Sequence, residues 1–185
     1  MGSEKECTGA ADTAALVLRA TLGPMLVAHG WNKVRGPGGI EGTTGWFRAL
    51  GLKPAGLQAR LAAATELAAG AGLTLGAATP LPAAAAVGLM AVAARTDHRG
   101  KGFFVFRGGW EYTGVVAGAA VAAAALGSGR WSLDALAGRE QGGARRALAA
   151  AGLGAFGAIA LLAGSYRPER DTEEEGEASE PGTTG

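Results

Sequence analysis

The sequence predicts an all-α integral membrane protein, a four-helix bundle with an additional C-terminal apolar helix and short interfacial helices. Two observations predict it. Long apolar stretches hold almost no charge: Thr13–Trp31 carries only Arg19 before its end, Leu57–Ala78 carries Arg60 and Glu66, and Tyr112–Leu126 and Ala147–Ala163 carry none. A helix on a soluble surface keeps a polar face along its whole length, and these stretches lack one. Proline, glycine and charged residues gather between the stretches and at both chain ends, where they break helices and meet water.

The first twelve residues are polar, with three acids against one lysine, and do not resemble a cleaved signal. The first span, residues 13–31, is therefore read as a retained helix ending at an interfacial aromatic, Trp31. Pro24 removes one backbone donor and is expected to kink it. Asn32–Gly45 reads as a glycine-rich loop. Gly45–Leu52 sets Trp46, Phe47 and Leu50 opposite Arg48, which suits a short helix in the interface. The second span covers residues 57–78, and Thr79-Pro80-Leu81-Pro82 turns the chain. The third, residues 81–94, is about 21 Å long and shorter than the roughly 30 Å hydrocarbon core. A polar loop, Arg95–Glu111, is interrupted by Phe103-Phe104-Val105-Phe106. The fourth span, residues 111–127, has Gly114, Gly118 and Ala122 on one face, a small-residue packing stripe. Trp131–Leu136 reads as another interfacial piece. Residues 137–166 form a linker and a fifth apolar helix, and residues 167–185 form an acidic, disordered tail.

Seventeen basic and sixteen acidic residues give a net charge of +1, which offers no footprint for nucleic acid. The single cysteine, Cys7, excludes an internal disulfide, a C-x-x-C relay and a cysteine-rich metal site. The 33 glycines fit either close helix packing or a compositional bias. Lysine and arginine are denser in the first and third loops than on the opposite side, which favours those loops facing the cytoplasm.

Ionisable groups at membrane depth are costly, so the few present carry the functional expectations. Threading places His29, Asp97, His98, Glu111 and Tyr112 at one membrane face. Arg19 lies about 15 Å below that face and Glu66 about 14 Å, from helical rise alone. The two are expected to pair, either as a staple between spans or as the wall of a quinone or proton site. His29 and His98 have the chemistry of haem or metal ligands, but a helix-end histidine and a loop histidine are the plainer reading. Haem is not favoured and no metal site is assigned. Glu111 at a helix start suits the positive end of the dipole.

The motifs Leu18-Arg19-Ala20, Ala28-His29-Gly30-Trp31-Asn32-Lys33, Gly42-Thr43-Thr44-Gly45-Trp46-Phe47, Leu50-Gly51-Leu52-Lys53-Pro54, Thr65-Glu66-Leu67, Gly102-Phe103-Phe104, Gly108-Gly109-Trp110-Glu111-Tyr112 and Gly129-Arg130-Trp131-Ser132-Leu133-Asp134 occur in this order. In them the chain resembles the DoxX family of small bacterial membrane proteins over roughly residues 13–136. The resemblance implies a multi-pass protein of the bacterial inner membrane, with Arg19, His29, Glu66 and Glu111 at the family's polar positions. It also implies a subunit of a redox-associated complex, quinone-linked and concerned with thiol, sulfur or oxidative-stress balance. The alternative is a non-catalytic scaffold in the lipid bilayer that docks soluble redox or sulfur-transfer enzymes. The core has no cysteine, which argues against direct thiol turnover by this chain alone.

Overall fold

The computed structural model describes residues 2–168, with side chains from Gly9 onward. The acidic tail expected from residue 167 lies almost wholly outside this range. Among the described residues seven α-helices run in the order α1 (Gly2–Arg35), α2 (Gly39–Ala49), α3 (Ala55–Leu75), α4 (Pro80–Thr96), α5 (Glu111–Leu126), α6 (Leu133–Leu136) and α7 (Ala144–Ser165), with a 3₁₀ turn at Val105–Arg107. Among the described residues there is no strand; Leu52 with Tyr166 and Gly127 with Gln141 form isolated bridges.

Helix boundaries differ from expectation where no residue forces a break. The polar N-terminus belongs to α1, which continues through Pro24 and past Trp31 to Arg35. The loop expected over Asn32–Gly45 shrinks to a few residues around Gly36–Gly38, with Gly38 left-handed at φ 77°. From there α2 starts at Gly39, six residues before the expected Gly45. The hydroxyls of Thr43 and Thr44 donate to the carbonyls of Gly39 and Ile40 one turn back, so these polar residues sit in a helix without an unmet donor. Thr43 and Phe47 form the buried face of α2.

The long helices alternate in direction. α1 packs against α3 and α5, and α4 packs against the same two, which closes a ring of four; α7 lies outside it against α4 and α5. Backbone glycines set the closest approaches. A methyl group added at Gly70 would lie 2.6 Å from the Gly23 carbonyl oxygen and 2.7 Å from the Val27 nitrogen. One at Gly154 of α7 would lie 2.6 Å from the Ala84 carbonyl oxygen of α4. The stripe expected on α5 does not serve this purpose: Gly118 meets nothing within 4 Å, and Gly114 faces only Trp110, the residue just before α5.

Two helices, Gly9–Arg35 within α1 and α7, are long and apolar enough to cross a membrane; α4 and α5 are apolar but shorter. Both long helices are mostly uncovered by the rest of the protein. On α7 the side chains of Leu148, Phe156 and Ile159 point outward together, a surface that calls for an apolar partner.

Candidate functional site

Arg19 and Glu66 do not pair. The antiparallel register of α1 and α3, fixed where Gly30 meets Ala63 and Leu67 and where Gly23 meets Gly70 and Thr74, puts Glu66 level with the last turns of α1. Arg19 lies instead at the far end of α3. The expected match counted depths from His29 and Leu57 as if those two were level; the register instead sets Glu66 beside the Gly30 turn of α1, about 16 Å of helical rise from Arg19.

Arg19 works as a backbone clamp. Its Nε donates to the Leu73 carbonyl at 2.9 Å, and Nη2 to Thr74 at 3.1 Å and Trp131 at 3.0 Å. Nη1 donates to the Ser128 carbonyl. A helix C-terminus leaves carbonyls without intrahelical donors, and a guanidinium has five N–H groups to offer them. Arg19 therefore ties the end of α3 to the loop after α5 while 2% exposed. Beside it, Asp134 of α6 accepts from the backbone N–H groups of Ala78 (2.8 Å) and Thr79 (3.0 Å) and from the Thr79 hydroxyl (3.2 Å). Burial pushes the Asp134 carboxyl up. The Thr79 and Ala78 N–H groups, the Thr79 hydroxyl and the charge of Arg139 outweigh that and hold it below its ordinary value. Sequence reasoning missed Asp134, although an acid following Ser132 at a helix start was visible there; Ser132 accepts from Ala135 and caps α6.

The partner of Glu66 is Lys33, also missed. Its ammonium lies 2.8 Å from both carboxylate oxygens. It donates a hydrogen bond to Oε1, while Oε2 is buried without a hydrogen-bond partner. Lys33 sits in the last turn of α1, one turn beyond His29, and that spacing was the available signal: residues four apart share a helix face.

Glu66, Lys33, His29 and Tyr112 line one cavity of about 430 Å³. Its remaining wall is mostly apolar, from Leu26 of α1, Trp46 and Phe47 of α2, Leu61 of α3, Leu89 and Met90 of α4, and Leu153 and Leu161 of α7. The Tyr112 hydroxyl lies 3.1 Å from His29 Nε2 and 3.1 Å from Met25 Sδ. One hydroxyl hydrogen cannot serve both, so the imidazole either accepts it or donates its own Nε2–H to the phenol oxygen. Asp97 and His98 border the same cavity, and His98 Nδ1 bonds the Gly108 carbonyl at 2.5 Å.

Of the expected site residues, His29, Glu66 and Tyr112 come together here. Arg19 belongs to the clamp at the opposite end, and Glu111 turns away: its Oε2 accepts from the Val105 N–H at 3.0 Å and ties the preceding loop. His29 and His98 each bond within the protein, and among the described residues no group of three or more His, Cys, Asp or Glu side chains could hold a metal.

An all-α fold with two long, apolar, largely uncovered helices fits a membrane-associated protein, and it sets a charged pair in the wall of an otherwise apolar cavity. Residues 14–99 match the model of the DoxX family, a membrane-associated family. The match spans α1 to α4 and ends at residue 99, short of the 136 expected, so α5, α6 and α7 lie beyond it. No curated protein and no solved structure matches the chain.

Proposed function

We propose that the chain is a multi-pass subunit of a redox-associated complex in the bacterial inner membrane, and that its cavity holds a quinone. The observation that carries this reading is the Lys33–Glu66 pair on the wall of an otherwise apolar cavity of about 430 Å³. Ligand sites combine a largely apolar lining with a few convergent polar groups. A quinone ring matches that chemistry: a flat apolar body with two opposed carbonyl oxygens. Lys33 donates to one oxygen. Tyr112 or His29, which exchange a hydrogen bond, donates to the other. Reduction to the quinol takes up two electrons and two protons; the electrons come from a partner redox protein, and Glu66 and the Tyr112–His29 pair are placed to pass the protons. Native mass spectrometry of detergent-extracted protein tests this. The expected result is a bound quinone that is lost in the Lys33→Met, Glu66→Leu double variant, which leaves no unpaired charge, while helical content and monodispersity persist. Quinone-free protein from quinone-rich membranes overturns it.

A docking scaffold is the second reading, favoured by the loop between α4 and α5, which exposes Phe103, Phe104, Val105 and Phe106 beside Arg99, Lys101 and Arg107. Here, Arg99 and Arg107 substitutions abolish recovery of soluble partners while Glu66→Gln leaves recovery intact at matched expression.

A further inference from the structure

The cavity that takes the head group adjoins a second space. A crevice of about 450 Å³ runs between α3 and α4 toward the turn that joins them. Leu61, Thr65 and Ala85 line both the cavity and the crevice, so the two share a wall. From Leu61 to Gly72 the crevice follows α3 for about 16 Å at helical rise. Its lining is apolar apart from Thr65. Small side chains keep it open: Ala64, Ala68 and Gly72 on α3 face Leu81, Pro82 and Ala85 on α4. Leu61 and Leu81 are about half and two-thirds exposed, so the crevice also opens to the protein's apolar outside.

We infer that this crevice is the tail slot of the cavity's occupant, which makes that occupant a quinone with a polyisoprenoid tail entering from the bilayer between α3 and α4. The inference rests on the quinone reading of the head-group site. The geometry supplies the rest. The Lys33–Glu66 pair fixes the polar end of the site. A cavity of this size takes a ring and the first part of a tail, so a long tail must leave it. The crevice offers an adjoining apolar route past Leu61, Thr65 and Ala85. A tail lying there buries methylene and methyl groups against alanine and glycine, which adds affinity with each carbon group covered.

The test uses the full chain in lipid nanodiscs with two probes: a tail-less benzoquinone and a polyisoprenoid benzoquinone carrying a diazirine on its tail. The wild-type chain is expected to bind both, and photolysis is expected to label residues 64–72 and 81–85. Ala68→Trp fills the slot from a partly open position. It should cut labelling and affinity for the tailed quinone by on the order of tenfold or more, and leave the tail-less quinone bound as before. Ala71→Trp, on the same helix but outside the crevice, should change neither. Labelling confined to α7 or α5, or an Ala68→Trp variant that binds the tailed quinone as well as the wild type does, overturns the tail route and leaves the head-group reading standing. Failure of both probes to bind overturns the head-group reading itself.

Discussion

Lys33 and Glu66 meet across α1 and α3 with the ammonium 2.8 Å from both carboxylate oxygens, and neither side chain has much access to the outside. Removing one member leaves the other charged in an apolar wall. Lys33→Met and Glu66→Leu should therefore each destabilise the protein by about 3–5 kcal/mol, whereas the double variant, with no charge left to desolvate, should recover most of that loss. Thermal unfolding in detergent, run as a double-mutant cycle, measures it. Additive losses in the double variant would show that the two charges do not depend on each other.

Arg19 gives the complementary case. Its partners are four backbone carbonyls, and their geometry suits a planar fork more than a point charge. A lysine has three donors on one atom and cannot span α3 and the loop after α5 together. Arg19→Lys is expected to lower stability by at least about 1.5–3 kcal/mol, the worth of one hydrogen bond from a charged donor. Because Glu66 lies mid-α3, about 10 Å of helical rise from the Leu73 and Thr74 carbonyls that Arg19 grips, the Arg19→Lys and Glu66→Gln effects should add within about 0.5 kcal/mol. A larger coupling would restore the contact that the register rules out.

Asp134 makes stability depend on acid. Its folded carboxyl lies below the ordinary value of 3.8, so the unfolded chain binds the proton more readily than the folded one. The contribution is therefore full above that value and fades as pH falls through the lower, folded one. Asp134→Asn keeps the shape and weakens three accepted hydrogen bonds. It should cost about 1–3 kcal/mol at neutral pH, and the gap to wild type should close in strong acid. Unfolding midpoints measured from pH 7 down to about pH 2.5 follow this directly. A gap that stays constant over that range would mean the carboxylate charge contributes nothing.

The sequence made the helices legible because apolar stretches without charge have few other solutions. It made their ends less so. Glycine density suggested a loop at 32–45, yet a helix tolerates single glycines, and Asn32 to Arg35 contain no residue that stops one. Depths counted from His29 and Leu57 matched Arg19 to Glu66, while the register that decides the pairing comes from Gly23, Gly30 and Gly70 meeting backbone across the interface. Convergence of His29 and Tyr112 needed only helix direction, and threading supplied it. Lys33 needed the register as well. The part of α7 in the cavity wall could not be read at all, since nothing in an alanine-rich helix says which neighbour it meets.

The same limit applies to the glycines themselves, and it yields the sharpest contrast. The sequence singled out Gly114 and Gly118, whereas the structure puts backbone atoms 2.6 and 2.7 Å from where a Gly70 methyl group would sit. Carbonyl and amide groups in helices cannot swing aside as side chains do, so Gly70→Ala must push α1 and α3 apart. The expected cost is about 1–3 kcal/mol, the range for overpacking an interior. Gly118 has open space around it, and alanine is the better helix former, so Gly118→Ala should raise stability by about 0.5–1 kcal/mol. Moving α1 off α3 also shifts Lys33 relative to Glu66, so Gly70→Ala should weaken quinone binding while Gly118→Ala leaves it unchanged. Paired unfolding and binding measurements on the two variants decide it. Equal effects from both would mean that helix separation is not set by the glycines of α1 and α3.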